Sequence, residues 1–346
     1  MNQRSGIGIR ASAVSILVAS ASWALGLGNE PGLQRTQVLA LSEGWNAVFL
    51  EVEPKDPDPA SVFAGVPVDK VARLFNTPAS NQFVTDPGVD LFKGGGWGVW
   101  YASQLPEAFL KSLDRIEGNV PYLVHATQAF QWRVSGGVLL ARSDWKADAY
   151  NFVGFPVRSP GGPTFGEFFA GSPAHLGQPI YRLVNGRWKK VLSPNAETIR
   201  SGEAFWIYCA GPSGFNGPLR VETASGQGLL LGRGGVEIVL RNECAHPLTP
   251  ELHHLSGDAA PVPLSILVRR YGNPAAPVEP VAVAMPNGAW RQPMPPLEAN
   301  ASIAVPMECR AAAMSRPVQA SLLKITTDIG TETWVPVMSF RDDLAE

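Results

Sequence analysis

The sequence repeats itself, and that repeat restricts the fold more than any other feature. Residues 44–54 read GWNAVFLEVEP and residues 149–159 read AYNFVGFPVRS: in each, an aromatic is followed by Asn and then by apolar residues that end near a proline. Three further segments follow in the same order in both places. ASVFAG (60–65) is answered by GEFFAG (166–171), VARLFN (71–76) by IYRLVN (180–185), and GNVPYLVHA (118–126) by SGEAFWIYCA (201–210). A duplicated unit fills equivalent core positions twice. The order therefore predicts two copies of one module, 36–141 and 142–222, in which Trp45 matches Tyr150, Arg73 matches Arg182 and Tyr122 matches Phe205.

The modules read as strands. Val48, Leu50 and Val52 alternate with Phe49, Glu51 and Glu53, and Phe205, Ile207 and Cys209 alternate with Trp206 and Tyr208, the period of two that a strand requires. Asn185-Gly186 between IYRLV and RWKKV predicts a tight hairpin, because both residues tolerate positive φ. ASVFAG and GEFFAG follow turn residues and predict one helical turn at an end of each module. The first copy is lengthened by a Trp-rich insertion, 77–116. In its second half Leu105, Phe109, Leu113 and Ile116 recur at helical spacing behind Pro106, which predicts a short amphipathic helix.

Beyond residue 222 the repeat stops, and six or seven strands bounded by turn residues are expected over 226–340, the pattern of an immunoglobulin-like β-sandwich. The fold class is all-β, in keeping with 35 Gly and 31 Pro spread through the chain. In that sandwich the strand ending near Cys244 and the strand ending at Cys309 are expected as antiparallel neighbours. Their cysteines then lie at opposite ends, beyond the Cα separation of about 7 Å that a disulfide allows.

Arg4 and Arg10 followed by a mainly apolar run to Leu25, with Ser22, Ala24 and Gly26 as small residues, predict a signal peptide over 1–26. The run is short and diluted by Ser and Gly, so no membrane span is expected in the mature protein. The expected location is secreted, periplasmic or cell-surface. Lys plus Arg (28) nearly balances Asp plus Glu (30) without a run of one sign, which argues against nucleic acid as a partner.

The GWN and VGFPV segments resemble the repeated "GWNLVSLPV … YWIYA" type of β module found in secreted and surface proteins of environmental bacteria. The segments VEIVLRNECAHPL and ASLLKITTDIGTETWVPV are similar to bacterial immunoglobulin-like domains used as spacers and docking modules. Neither resemblance implies an activity, a cofactor or a set of site residues.

No catalytic or metal-binding residues emerge from the sequence. His253 and His254 are adjacent, so a strand points them to opposite faces, and His246 adds no ligand at a metal-binding spacing. Residues 55–61, KDPDPAS, lack the Gly and terminal Glu of a calcium loop and read as a Pro-rich turn. GGGWG at 94–98 lacks the Lys-Ser/Thr of a phosphate loop. No G-x-S-x-G elbow is present, and His125 and His175 have no recognisable partner. Trp97, Trp100 and Tyr101, which follow three glycines, are the binding candidates. The expected function is a non-enzymatic structural or adhesion protein that presents a surface to a protein partner. The alternatives are a carbohydrate-binding module that stacks a surface glycan on those three rings, and a secreted hydrolase of unrecognised motif.

Overall fold

The computed structural model describes residues 31–75, 96–232, 234–256, 260–269, 280–288 and 290–341. The expected signal peptide and residues 77–95 of the insertion lie outside them. The described chain is all-β and forms five sheets. Helix is confined to single turns and 3₁₀ segments.

Sheet B takes β2 (Gly44–Leu50), β6 (Val120–Ala126), β4 (Val68–Leu74) and β5 (Trp97–Tyr101), side by side in that order. Sheet C takes β8 (Ala149–Gly154), β11 (Ala204–Cys209), β9 (Ile180–Val184) and β10 (Arg187–Lys190). Numbered from its own first strand, each sheet runs first, fourth, second, third. The registers agree as well: Val48, three residues past Trp45, pairs with Tyr122, and Val153, three past Tyr150, pairs with Phe205. One local device opens both sheets. Asn46 accepts from Ser42 N–H at 2.9 Å and donates to Gly44 O at 2.9 Å, while Asn151 accepts from Lys146 N–H at 2.8 Å and donates to Ala149 O at 3.0 Å. Each side-chain amide thus closes the loop ahead of its strand, the local role that suits Asn. Asn185 (φ 50°) and Gly186 (φ 73°) form the β9–β10 turn, with Val184 opposite Arg187.

Sheets B and C pack face to face. Alternation sends Ala47, Phe49, Leu123, Val99 and Tyr101 of B against Phe152, Ala204 and Trp206 of C. Gly154 is required there, since a Cβ on it would stand 2.2 Å from that of Phe49. The outer face of B is covered by sheet A, in which β7 (Phe130–Val138) lies between β1 (Gln34–Leu41) and β3 (Val52–Pro54). Leu39, Leu41, Trp132 and Val134 of A meet Val48, Leu50, Tyr122 and Val124 of B in one core, and Phe63, just after the helical turn α1 (Pro59–Val62), joins them. The outer face of C is covered by the helical turn α2 (Phe165–Phe169), whose three phenylalanines pack with Trp145, Phe155 and Phe215. Thr164 and Glu167 close a capping box that starts α2.

The C-terminal part is a sandwich of two five-stranded sheets around one core. Sheet D runs β12 (Leu219–Thr223), β14 (Val236–Asn242), β19 (Ser302–Cys309), β16 (Leu264–Arg269), β17 (Pro280–Ala284). Sheet E runs β13 (Leu229–Leu231), β21 (Glu332–Phe340), β20 (Val318–Thr327), β15 (Pro250–Leu255), β18 (Arg291–Pro293). β14 and β19 are antiparallel neighbours with Arg241 opposite Ser302 and Val236 opposite Met307, so Cys244 and Cys309 lie toward opposite ends of the pair.

Two expectations need correction. The two sheets of the sandwich hold ten described strands rather than six or seven, and the first of them is β12, which pairs along β14. Residues 105–116 are not an amphipathic helix. A 3₁₀ turn, Pro106–Leu110, ends at Lys111, and the Ser112 and Leu113 N–H groups donate to Val99 O at 2.8 and 3.1 Å. The backbone finds its partners on β5 rather than four residues back. Leu113 and Ile116 are buried, whereas Phe109 is 81% exposed.

The parts are joined by main-chain bonds: Arg158 N–H donates to Gly330 O at 2.8 Å and Glu332 N–H to Pro156 O at 3.1 Å. The 3₁₀ turn Pro31–Leu33 lies on β20 so closely that a Cβ on Gly32 would stand 2.1 Å from Ala320 O. Leu33 packs there with Ala320, Leu322 and Met338.

Candidate functional site

Alternation along β5 separates the three aromatic candidates. Trp100 faces sheet A, 5.5 Å from the Phe63 ring and 8% exposed, while Trp97 and Tyr101 face sheet C. Tyr101 is 3% exposed, and burial, with Glu107 nearby, raises its phenol pKa. Trp97 lies edge-on to Trp206 at 6.4 Å. The rings occupy opposite faces of one strand inside two cores, so they do not form a shared open platform for a sugar.

The two histidines without an evident partner in the sequence both have one. A register shift between Val68 and Lys70 marks an irregularity at Asp69, and Asp69 Oδ1 lies 2.6 Å from His125 Nδ1. Trp45 is edge-on to the same imidazole at 5.1 Å. A bulge re-aims a side chain in this way, and alternation alone does not reveal it. His175 lies between Trp145, at 4.0 Å, and Phe169, with Nδ1 2.7 Å from Ser172 Oγ. It is 1% exposed, and burial lowers its pKa to about 4. Both members of this Ser–His pair are buried. Cys244 Sγ lies 3.0 Å from His246 Nε2, but burial raises the thiol pKa and keeps it protonated. His254 is buried with Nδ1 2.7 Å from Met285 O, whereas His253 neighbours Glu251 and Thr326. Among the described residues no three His, Cys, Asp or Glu side chains are grouped to hold a metal ion.

A cleft of about 600 Å³ opens where sheets B, C, D and E converge. Its walls are the run Phe152–Pro156 at the end of β8, the run Leu219–Thr223 that is β12, and Thr331–Thr333 at the start of β21. Residues 140–144, which lead from sheet A toward sheet C, complete it. Its rim carries both charges. Arg220 is paired with Glu222 at 2.8 Å and Glu243 at 3.3 Å, Glu332 with Lys324 at 2.5 Å, and Arg142 donates to Gly226 O at 2.6 Å. Asp144 is exposed at the mouth. The cleft's volume lies within the range of ligand pockets, and sites at domain junctions are common. Sequence reasoning missed it, because the walls come from segments distant in the chain and carry no motif.

No family model matches the chain, and no curated protein is similar to it. Among solved structures, a calcium-binding mutant of β-glucuronidase 2 from Bacteroides uniformis aligns at 8% identity over 88% of this chain, with a TM-score of 0.15. This chain spans about a third (32%) of that protein's length. A TM-score this low carries no argument about fold or function. No helix among the described residues is long and apolar enough to cross a membrane.

Proposed function

We propose that the protein is an exported, non-catalytic binding protein of the structural or adhesion type, built from two copies of one β module and an immunoglobulin-like sandwich, and that its cleft receives a protein partner. The duplication is supported by the common strand order of sheets B and C and by the paired roles of Asn46 and Asn151. Export rests on the basic and apolar pattern of residues 1–26.

The observation that carries the reading is the cleft itself, walled by segments of three sheets and rimmed by both charges. Such a surface suits a polypeptide, which brings amide groups and mixed charge, better than a sugar, which is held by open aromatic faces. A photoreactive phenylalanine analogue at Asp144, on protein displayed to cells of the producing community, is expected to cross-link a surface protein. A glycan-array signal that disappears in Arg142→Ala, with no cross-linked protein, would move the assignment to carbohydrate binding.

A further inference from the structure

We propose that the cleft binds its partner by strand addition, with an extended segment of the partner polypeptide pairing along the outer edge of β12 and reaching the outer edge of β8. This deepens the protein-binding reading and rests on it.

Both walls are sheet edges. β12 is the terminal strand of sheet D, and β8 is the terminal strand of sheet C. The phase of each ladder is fixed by one bond next to it. Glu243 N–H donates to Pro218 O, so in the antiparallel β12–β14 pair the residues that face β14 are Arg220 and Glu222. The N–H and C=O groups of Leu219 and Val221 therefore point away from sheet D. In sheet C, Tyr208 N–H donates to Pro179 O, which turns Trp206 toward β9 and leaves Phe205 and Ile207 to bond Val153 and Asn151. The main-chain groups of Phe152 and Gly154 then point outward. Among the described residues none of these outward groups on Leu219, Val221, Phe152 and Gly154 has a backbone partner.

Unpaired edge groups template a further strand, and natural proteins blunt edges that lie open. Here the two edges are recessed in one cleft that a single chain can enter. The size agrees: at roughly 3.3 Å rise per residue, 4.8 Å between strands and 10 Å between layers, a strand residue fills about 160 Å³. The cleft of about 600 Å³ thus corresponds to about four residues. Main-chain pairing supplies affinity in such complexes, and the side chains flanking the edge supply selectivity. On β12 those are Arg220 and Glu222, so the segment is expected to carry an acidic and a basic residue at alternate positions, facing them across the new pair.

The test uses a phage-displayed library of seven-residue peptides panned on the full chain. A selected peptide, made synthetically, is expected to lose about tenfold or more in affinity when alternate backbone nitrogens are N-methylated, and little at the positions between. Val221→Pro removes an outward donor without touching the ladder to β14, a position where an edge strand tolerates proline. It should weaken binding by a similar factor, while Val221→Ala should retain it. If Val221→Pro fails to fold, the N-methyl scan on the native chain decides. A flat scan, or a panning that yields no peptide sensitive to it, overturns strand addition. The cross-link at Asp144 judges the wider protein-binding reading separately, because it requires contact at the cleft but no particular backbone pairing.

Discussion

Sheets B and C arrange four strands in the same order and bury their inner faces against each other, yet their outer faces are covered in different ways. Sheet B lies under another sheet, with Phe63 as the single aromatic from its helical turn. Sheet C lies under α2, where Phe165, Phe168 and Phe169 pack with Trp145, Phe215 and the buried His175. The same contrast recurs at matching residues. Trp45 and His125 form an edge-on pair at 5.1 Å, with Asp69 Oδ1 2.6 Å from the imidazole, and Tyr150 and Tyr208 form one at 5.2 Å. A shared strand order therefore constrains the inner face, while each outer face is settled by whatever segment the chain lays over it.

Arg182 and Arg73 give the largest test. Arg182 (10% exposed) forks onto Glu203 (17%) through Nε at 3.1 Å and Nη2 at 2.6 Å, whereas Arg73 (19%) meets Glu117 (36%) nearer the surface at 2.6 Å. Arg182→Met strands a carboxylate in a largely buried site and is expected to cost about 3 kcal/mol or more. Arg73→Met should cost about 1 kcal/mol or less. Urea unfolding of the two variants would measure both, and equal losses would break the contrast in burial between the two sheets.

Acid provides the next. His175 ionises at about 4 in the folded protein against an ordinary 6.5, because burial disfavours the charged ring. As pH falls through this window the unfolded chain takes up the proton first, so stability present above about pH 6.5 is lost progressively down to about pH 4. The loss is on the order of 3 kcal/mol. Thermal or urea unfolding across that range should show a drop in the native protein that His175→Phe reduces by that amount. An unchanged slope in the variant would mean that the core around α2 is not the acid-sensitive one.

The smallest effect concerns what sheets B and C have in common. Asn46→Ala and Asn151→Ala each remove one acceptor and one donor from a loop closure and should each cost about 1–2 kcal/mol. Losses that differ by more than about 1 kcal/mol would show that the shared device does not carry a shared load.

Much of the strand pattern was legible because it is written in neighbouring residues. The period of two marked β2 and β11, and Asn185-Gly186 marked a turn that needs positive φ twice. The segment 105–116 shows where this fails: its spacing fits a helix, but Val99 O offers its amides a partner from another strand, and no local pattern records that. Trp97, Trp100 and Tyr101 were legible as a cluster but not in the direction that each ring takes. Three glycines before them leave exposure open beside burial, and alternation on β5 turns Trp100 toward sheet A and Trp97 and Tyr101 toward sheet C. Asp69 meets His125 through an irregularity in the strand, and the cleft is assembled from distant walls, so neither left a trace in spacing.

The seating of Pro31–Leu33 on β20 bears on the order in which the molecule can be completed. Leu33 finds Ala320, Leu322 and Met338 across almost the whole described length of the chain, and β1 continues directly from that turn into sheet A. A chain threaded out from its N-terminus presents β1 first and the hairpin of β20 and β21 last. The first turn must then wait unanchored until the final strands arrive. Contacts of such sequence separation slow folding, because loop closure is charged before any gain is returned. The described fold is thus closed by a contact between its first described turn and its last two described strands, rather than built from strands that meet only their neighbours in sequence.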